Sequence, residues 1–434
     1  MILSIEWRFL KMQALTKAHQ PFRISEYNFV YTLQLYRKDG SMLPPIPWKY
    51  ALPLFGLATS AFMFNTSEFM PIGLLSDIAA SFEMTPAQTG IMITVYAWMV
   101  GLLSLPLMLA ACRMDLRYLL LLTLGLFIAG QLGSAFAVNF PMLMAARIAV
   151  ACAHSVFWSI AGPLATRLVT QVRQPFALSV IATGSSIAMI FGLPLGRVVG
   201  LALGWRMTFF SLAVIALLAL LFLWRVFPPL SKQAPFSLHE LPALFKTPLT
   251  AGIFILSLLF ATAYFTTYSF IEPFLATVAG FSASSITWTL MVLGLCGFFG
   301  SMLFSRLYGT HRFLVLRAGV IGLFAGLLLF LPAAAFAPAM LACCMLLGTI
   351  STLSNVAMQA ELIRSCSRTD APVAMSIFSG IFNVGIGGGT FLSGHLTSAG
   401  ALSDIGFFGA AIAGLAVVYT VCAYLPAARE AGRR

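Results

Sequence analysis

Gly184-Ser185-Ser186-Ile187-Ala188-Met189-Ile190-Phe191-Gly192-Leu193-Pro194-Leu195-Gly196-Arg197 is an apolar run too long for a turn and too rich in glycine for an ordinary helix. Small residues recur every fourth position, at Gly184, Ala188, Gly192, Gly196 and Gly200. That spacing clears one face of a helix and lets a neighbouring backbone come close, as helices in lipid require. Pro194 withdraws a backbone donor inside the run, which permits a kink. The stretch reads as a kinked membrane helix that seals a moving interface.

Similar runs lie on both sides. The chain has 434 residues, 60% of them hydrophobic and only 9% charged. Soluble domains carry roughly 25% charged residues, so that class is excluded. A hydrocarbon core about 30 Å thick takes about 20 residues per helix. Spans are predicted at 50–74, 87–110, 117–137, 141–163, 177–200, 206–227, 249–272, 284–305, 313–332, 336–359, 371–394 and 403–425. The fold class is therefore an all-α membrane protein of twelve transmembrane helices.

The longest interior connection, 228–248, divides two six-helix halves, 50–227 and 249–426. A tail follows at 427–434. Residues 1–49 precede the first span, with basic residues, no long apolar run and no secretory-signal pattern. Two readings stand here: a cytoplasmic extension, or a natural start at Met42, with the first 41 residues untranslated. The formal net charge is +12. Of 25 Lys and Arg, all but Arg147, Arg197 and Arg206 fall in segments on one side of the predicted membrane. The positive-inside rule then places both termini in the cytoplasm of a multi-pass protein. The membrane accounts for the basic charge, so nucleic acid is not expected as a partner.

The seven cysteines lie within apolar runs or at cytoplasmic ends, so no disulfide framework is expected. There is no CxxC, HExxH or phosphate-cradling GxxxxGK[ST] motif, hence no expected metal, cofactor or nucleotide chemistry. An embedded transferase would place Asp, Glu or His clusters in interfacial loops. The loops here are mainly basic, so no enzyme is expected.

Charges inside spans are expensive and usually mark a wet cavity or a partner. They are Glu68, Arg147 and Glu272, with His154 as a titratable addition. Glu68 shares a helix face with Asn65, three residues earlier. A carboxyl group withdrawn from water can bind and release a proton near neutral pH, so Glu68 is the first proton-coupling candidate. Glu272 is a second, and His154, whose imidazole titrates in the physiological range, a third. Arg147, His154 and Trp158 form one stripe, with Arg147 available to hold an acidic partner or a polar substrate. Tyr264 and Tyr268 stand eight and four residues before Glu272, on or near its face, where hydroxyl-bearing rings suit a sugar. The halves echo each other: each opens with a helix bearing one Glu near its outer end, close before a proline (Pro71, Pro273), and glycines crowd spans 5 and 11. Parallel repeats of this kind bind substrate at the midplane between them.

These residues resemble the major facilitator superfamily. Gly184, Gly192, Pro194 and Gly196 look like the antiporter signature of its drug:proton antiporter branch. Phe64-Asn65-Thr66-Ser67-Glu68-Phe69, Ala153-His154-Ser155-Val156-Phe157-Trp158 and Ile271-Glu272-Pro273-Phe274 are similar to stretches of that branch's bacterial sugar efflux transporters, as is the segment from Phe378 to Gly387 that contains Asn383. The loop Ala111-Cys112-Arg113-Met114-Asp115-Leu116-Arg117 departs from the superfamily's loop signature: Arg113 and Arg117 fit, but Cys112 stands where an acid is expected, so that either the cytoplasmic charge latch is weak or Asp115 replaces the acid. The resemblance implies a monomeric inner-membrane (cell-membrane) antiporter that exchanges protons for sugars such as arabinose or thiogalactosides. A multidrug or nucleoside exporter of the same fold is the alternative. Asn65, Arg147, Trp158, Tyr264, Tyr268 and Asn383 are the expected cavity residues.

Overall fold

The computed structural model describes residues 47–111, 114–170, 173–229, 245, 247–366 and 371–431. These belong to one of the chain's two units, Pro44–Arg434; the other, Met1–Leu43, lies outside them. So do most of the 228–248 connection, Met42, Cys112 and Arg113.

With no water in the hydrocarbon, each span must satisfy its own backbone, and helices do so. The first span is α1 (Trp48–Phe69), continued by a 3-10 turn at Met70–Leu74 and by α2 (Leu75–Ser81). Then come α3 (Pro86–Ala111), α4 (Leu116–Ala135) and α5 (Phe140–Arg167). The glycine-rich span is α6 (Gln174–Ile187), a π-helical turn at Ala188–Gly192, and α7 (Leu193–Leu203). The sixth is α8 (Trp205–Val226). The seventh divides into α9 (Pro248–Tyr268) and α10 (Ile271–Thr277). The rest are α11 (Ala283–Leu328), α12 (Phe330–Ala334), α13 (Ala337–Ser365), α14 (Ala371–Ser398) and α15 (Ile405–Tyr419), the last running through a π turn into α16 (Leu425–Ala431).

Among the described residues, ten helices are long and apolar enough to cross a bilayer. One of them, α11, has 46 residues. At a 1.5 Å rise it would be about 69 Å long, twice the membrane core. His311 breaks it with non-helical backbone angles, φ −133° and ψ 42°, so it serves as spans 8 and 9. Counting its two parts separately, and adding α1 with its polar last turn, gives the expected twelve. The connection expected between spans 8 and 9 is therefore a bend within one helical run. The tail expected from residue 427 is helical through Ala431, as α16.

Local chemistry sets several boundaries. Asp115 Oδ1 accepts from the amides of Arg117 and Tyr118 at 2.9 and 3.1 Å and starts α4. Asn139 caps α5 in the same way through Met142 N. Gly204, at φ +88°, turns α7 directly into α8; a side chain would be strained there. Large apolar side chains such as Phe55, Leu218, Trp224 and Trp288 lie exposed on the surface, as lipid contact allows.

Glycine faces join the helices. Gly184, Gly192, Gly196 and Gly200 pack on α1 and its continuation, where added side chains would strike Ala58, Thr66, Met70 and Leu74. The spacing of four thus packs two helices of the first six against each other; it is not the face that meets the other half. That meeting is made by Gly294 of α11, which lies against the backbone of Met189 and Ile190 in the π turn. The second half repeats the pattern. Gly385 and Gly389 of α14 pack on α9, while Gly380 and Gly387 face Gly101 and Trp98 of α3.

Candidate functional site

The end of α1 carries Asn65, Thr66, Ser67 and Glu68 into the interior of the first six spans. Glu68 is buried, and its Oε2 lies 3.8 Å from His154 Nε2 on α5. Tyr96 of α3 meets the other imidazole nitrogen, Oη to Nδ1 at 2.9 Å. Arg147, one of the largest fully buried side chains, donates from Nη1 to Ser67 Oγ and from Nη2 to Ser67 O, both at 3.0 Å. Its guanidinium lies over the Tyr96 ring, 4.3 Å from the centroid. Gln131 of α4 donates to Ser67 Oγ at 2.5 Å. Four helices therefore converge on one buried polar cluster holding a carboxyl group, an imidazole and a guanidinium.

The structure brings Glu68, His154 and Arg147 into one cluster. Arg147 holds Ser67, the neighbour of Glu68. Trp158 continues the stripe, with its ring centroid 6.3 Å from that of His154. Asn65 is half-buried one turn before Glu68. Tyr96, Ser67 and Gln131 went unread. Gln131 could have been noticed as a lone amide in the apolar α4; Ser67 and Tyr96 look ordinary without their neighbours.

Glu272 goes elsewhere. The helix stops at Tyr268 and restarts at Ile271, so the face shared by Tyr264 and Tyr268 does not extend to it. Its Oε2 accepts from Ser76 Oγ at 2.8 Å and Ser76 N at 3.3 Å, and its Oε1 lies 3.4 Å from Arg197 Nη1. Arg197, on α7, also donates to Gly73 O in the 3-10 turn. Glu272 and Arg197 are each 3% exposed. This clasp joins the last six spans to the first six at the end of the bundle where α1 terminates. Phe69 and Phe265, with ring centroids 6.2 Å apart, add an apolar contact across the same divide, and Trp98 Nε1 donates to Val384 O at 3.3 Å further along.

Tyr264 and Tyr268 stack with centroids 5.1 Å apart. Phe265 stands edge-on to Phe382, which stacks on Phe378. Asn383 gives its amide hydrogen to Ser379 O one turn back, at 2.9 Å, and its buried Oδ1 has no partner among the described residues. At the other end of the bundle Arg117 donates to Trp224 O at 2.6 Å. Asp115 is occupied as a helix cap; Arg113 lies outside the described residues. Among the described residues no His, Cys, Asp and Glu grouping suits a metal ion.

The chain is thus a bundle of apolar helices packed through glycines, with a buried polar cluster among its first six spans and a clasp from these to the last six. The Major Facilitator Superfamily model matches residues 57–366, and the chain belongs to that superfamily. Solved structures share the fold at low identity. A bacterial homolog of the human lysosomal transporter Spinster, in an inward-facing and unoccupied conformation, matches with TM-score 0.71 and 15% identity over 86% of this chain and 96% of that one. The human organic anion transporter MFSD10 (TETRAN) matches with TM-score 0.66 and 13% identity over 87% of this chain and 100% of its own. The peptide transporter POT gives 0.71 and 10%, over 87% and 94%.

Proposed function

We propose that this protein is a proton-coupled antiporter of the drug:proton branch, exporting sugars such as arabinose and thiogalactosides across a bacterial inner membrane. It works as a monomer, with both termini in the cytoplasm and two halves, 50–227 and 249–426, rocking about the substrate. One observation carries the reading: Glu68 sits in a buried cluster with His154 and Arg147, at the end of a helix that also contributes to the contact between halves. A carboxyl group so placed can exchange a proton as the bundle moves between openings, which is what antiport asks of it. With the N-terminus inside, the Glu272 clasp closes the outer end.

Sugar as cargo is supported by the stacked tyrosine pair and by the spare amide oxygen of Asn383. The phenyl rings of Phe265, Phe378 and Phe382 favour the alternative, a multidrug or nucleoside exporter. Proteoliposomes loaded with labelled arabinose or with a cationic dye, under an imposed proton gradient, separate the two. The expected result is proton-driven sugar flux. Dye movement without sugar movement selects the alternative, and no solute movement at any pH difference rejects both.

A further inference from the structure

His154 is closed in on every side. It is 3% exposed, with Phe64 edge-on to its ring at 5.8 Å and Trp158 at 6.3 Å. Nδ1 faces the Tyr96 hydroxyl and Nε2 faces the Glu68 carboxyl group. Two of the imidazole's neighbours are titratable, Glu68 from α1 and Tyr96 from α3, and Arg147 on its own helix is the fixed charge. α4 contributes Gln131 to this cluster; its Arg117 and Tyr118 stand in its first turn, where Arg117 bonds to Trp224 O. α6 has no Asp, Glu, Lys, Arg or His in its sequence.

The charges can then be counted. A guanidinium keeps its charge throughout the physiological range. With Glu68 ionised, Arg147 and Glu68 cancel. With Glu68 protonated, one positive charge remains. An imidazolium would leave this buried site with a net positive charge whether or not Glu68 is ionised, and burying uncompensated charge is strongly unfavourable. A neutral imidazole avoids this, provided Nδ1 is satisfied whichever ring nitrogen carries the hydrogen. A tyrosine hydroxyl meets that condition because it both donates and accepts. Tyr96 is itself held in place by the guanidinium over its ring.

We propose that Tyr96 is a positioning residue that holds His154 as a neutral neighbour of Glu68, so that in this cluster the carboxyl group alone gains and loses the proton. This rests on the reading of Glu68 as the proton-exchanging group and removes His154 from the relay.

Solid-state nitrogen NMR of histidine-labelled protein in liposomes tests it, with the His154 signal assigned by its loss in His154→Gln. Across the pH range of transport, the wild-type signal is expected to stay that of a neutral imidazole. An imidazolium signal in that range overturns the proposal. In Tyr96→Phe, loss of one hydrogen bond is expected to move the pH midpoint of export by about tenfold in proton concentration, with the His154 signal changing alongside it. An unmoved midpoint and unmoved signal also overturn the proposal. The wild-type spectrum decides even if the variants fold poorly. Failure of the transport reading would show separately, as wild-type protein that moves no solute.

Discussion

Glu68 and Glu272 look like counterparts in the sequence, each near a proline at the outer end of the first helix of its half, yet they face opposite ways in the fold. Aligned on Pro71 and Pro273, the residue in Glu68's place is Phe270. α1 remains helical through Glu68, so that carboxyl group turns into its own half and meets His154. α9 ends at Tyr268, two residues intervene, and Glu272, on a new short helix from Ile271, reaches across to Ser76 and Arg197. Where a helix breaks decides whether a carboxyl group serves the interior of one half or the contact between two. On the proposed antiport reading these are separate jobs: one group exchanges the proton, the other restrains the motion.

The largest effect that sharpens this contrast is expected from Glu68→Gln. It should abolish gradient-driven export while leaving folded protein and gradient-free counterflow, both measured in proteoliposomes; full uphill export by this variant would break the distinction. Arg147→Met comes next. Removing a buried guanidinium strips Ser67 of two donated hydrogen bonds and leaves the cluster's acid without its cation, at about 3–5 kcal/mol. The loss should appear as a lower melting midpoint and a poor yield.

Glu272→Gln should leave cargo binding intact and weaken the clasp by about 1.5–3 kcal/mol, the worth of hydrogen bonds to a charged group. Spin labels across the divide near Ser76 and Glu272 should then report a larger open fraction at that end; an unchanged distance distribution would show that Glu272 does not restrain it. Gly192→Leu should impair transport by forcing α1 and the π turn apart, at about 1–3 kcal/mol for overpacking. Gly294→Ala should do so by a different route, at the contact between halves. The smallest effect is expected for Tyr268→Phe, which keeps the ring and loses only a hydroxyl. Sugar affinity should fall by about 0.5–1.5 kcal/mol, read by a binding titration.

The spans and the membrane were legible because about 20 apolar residues in a row have few other uses. Glu68, Arg147, Glu272 and His154 were legible because polar groups are costly there and stand out singly. The partners of those groups were not. Ser67 and Ser76 are small, common residues, and nothing local marks Ser67 Oγ as the acceptor for two donors or Ser76 N as a donor to a carboxylate 196 residues away. The glycine spacing announced close packing but not its partner, since the same cleared face fits any helix. The helix stop at Tyr268 carried no proline or glycine of its own to reveal it.

Composition and periodicity alone thus determined that this chain crosses a membrane many times, and which rare charges it carries there, because burial in lipid penalises each residue by its own chemistry. Whom those charges meet, and whether within a half or across the divide, was decided only by the tertiary structure, because hydrogen bonds a few ångströms long depend on where helices break and how closely their backbones approach.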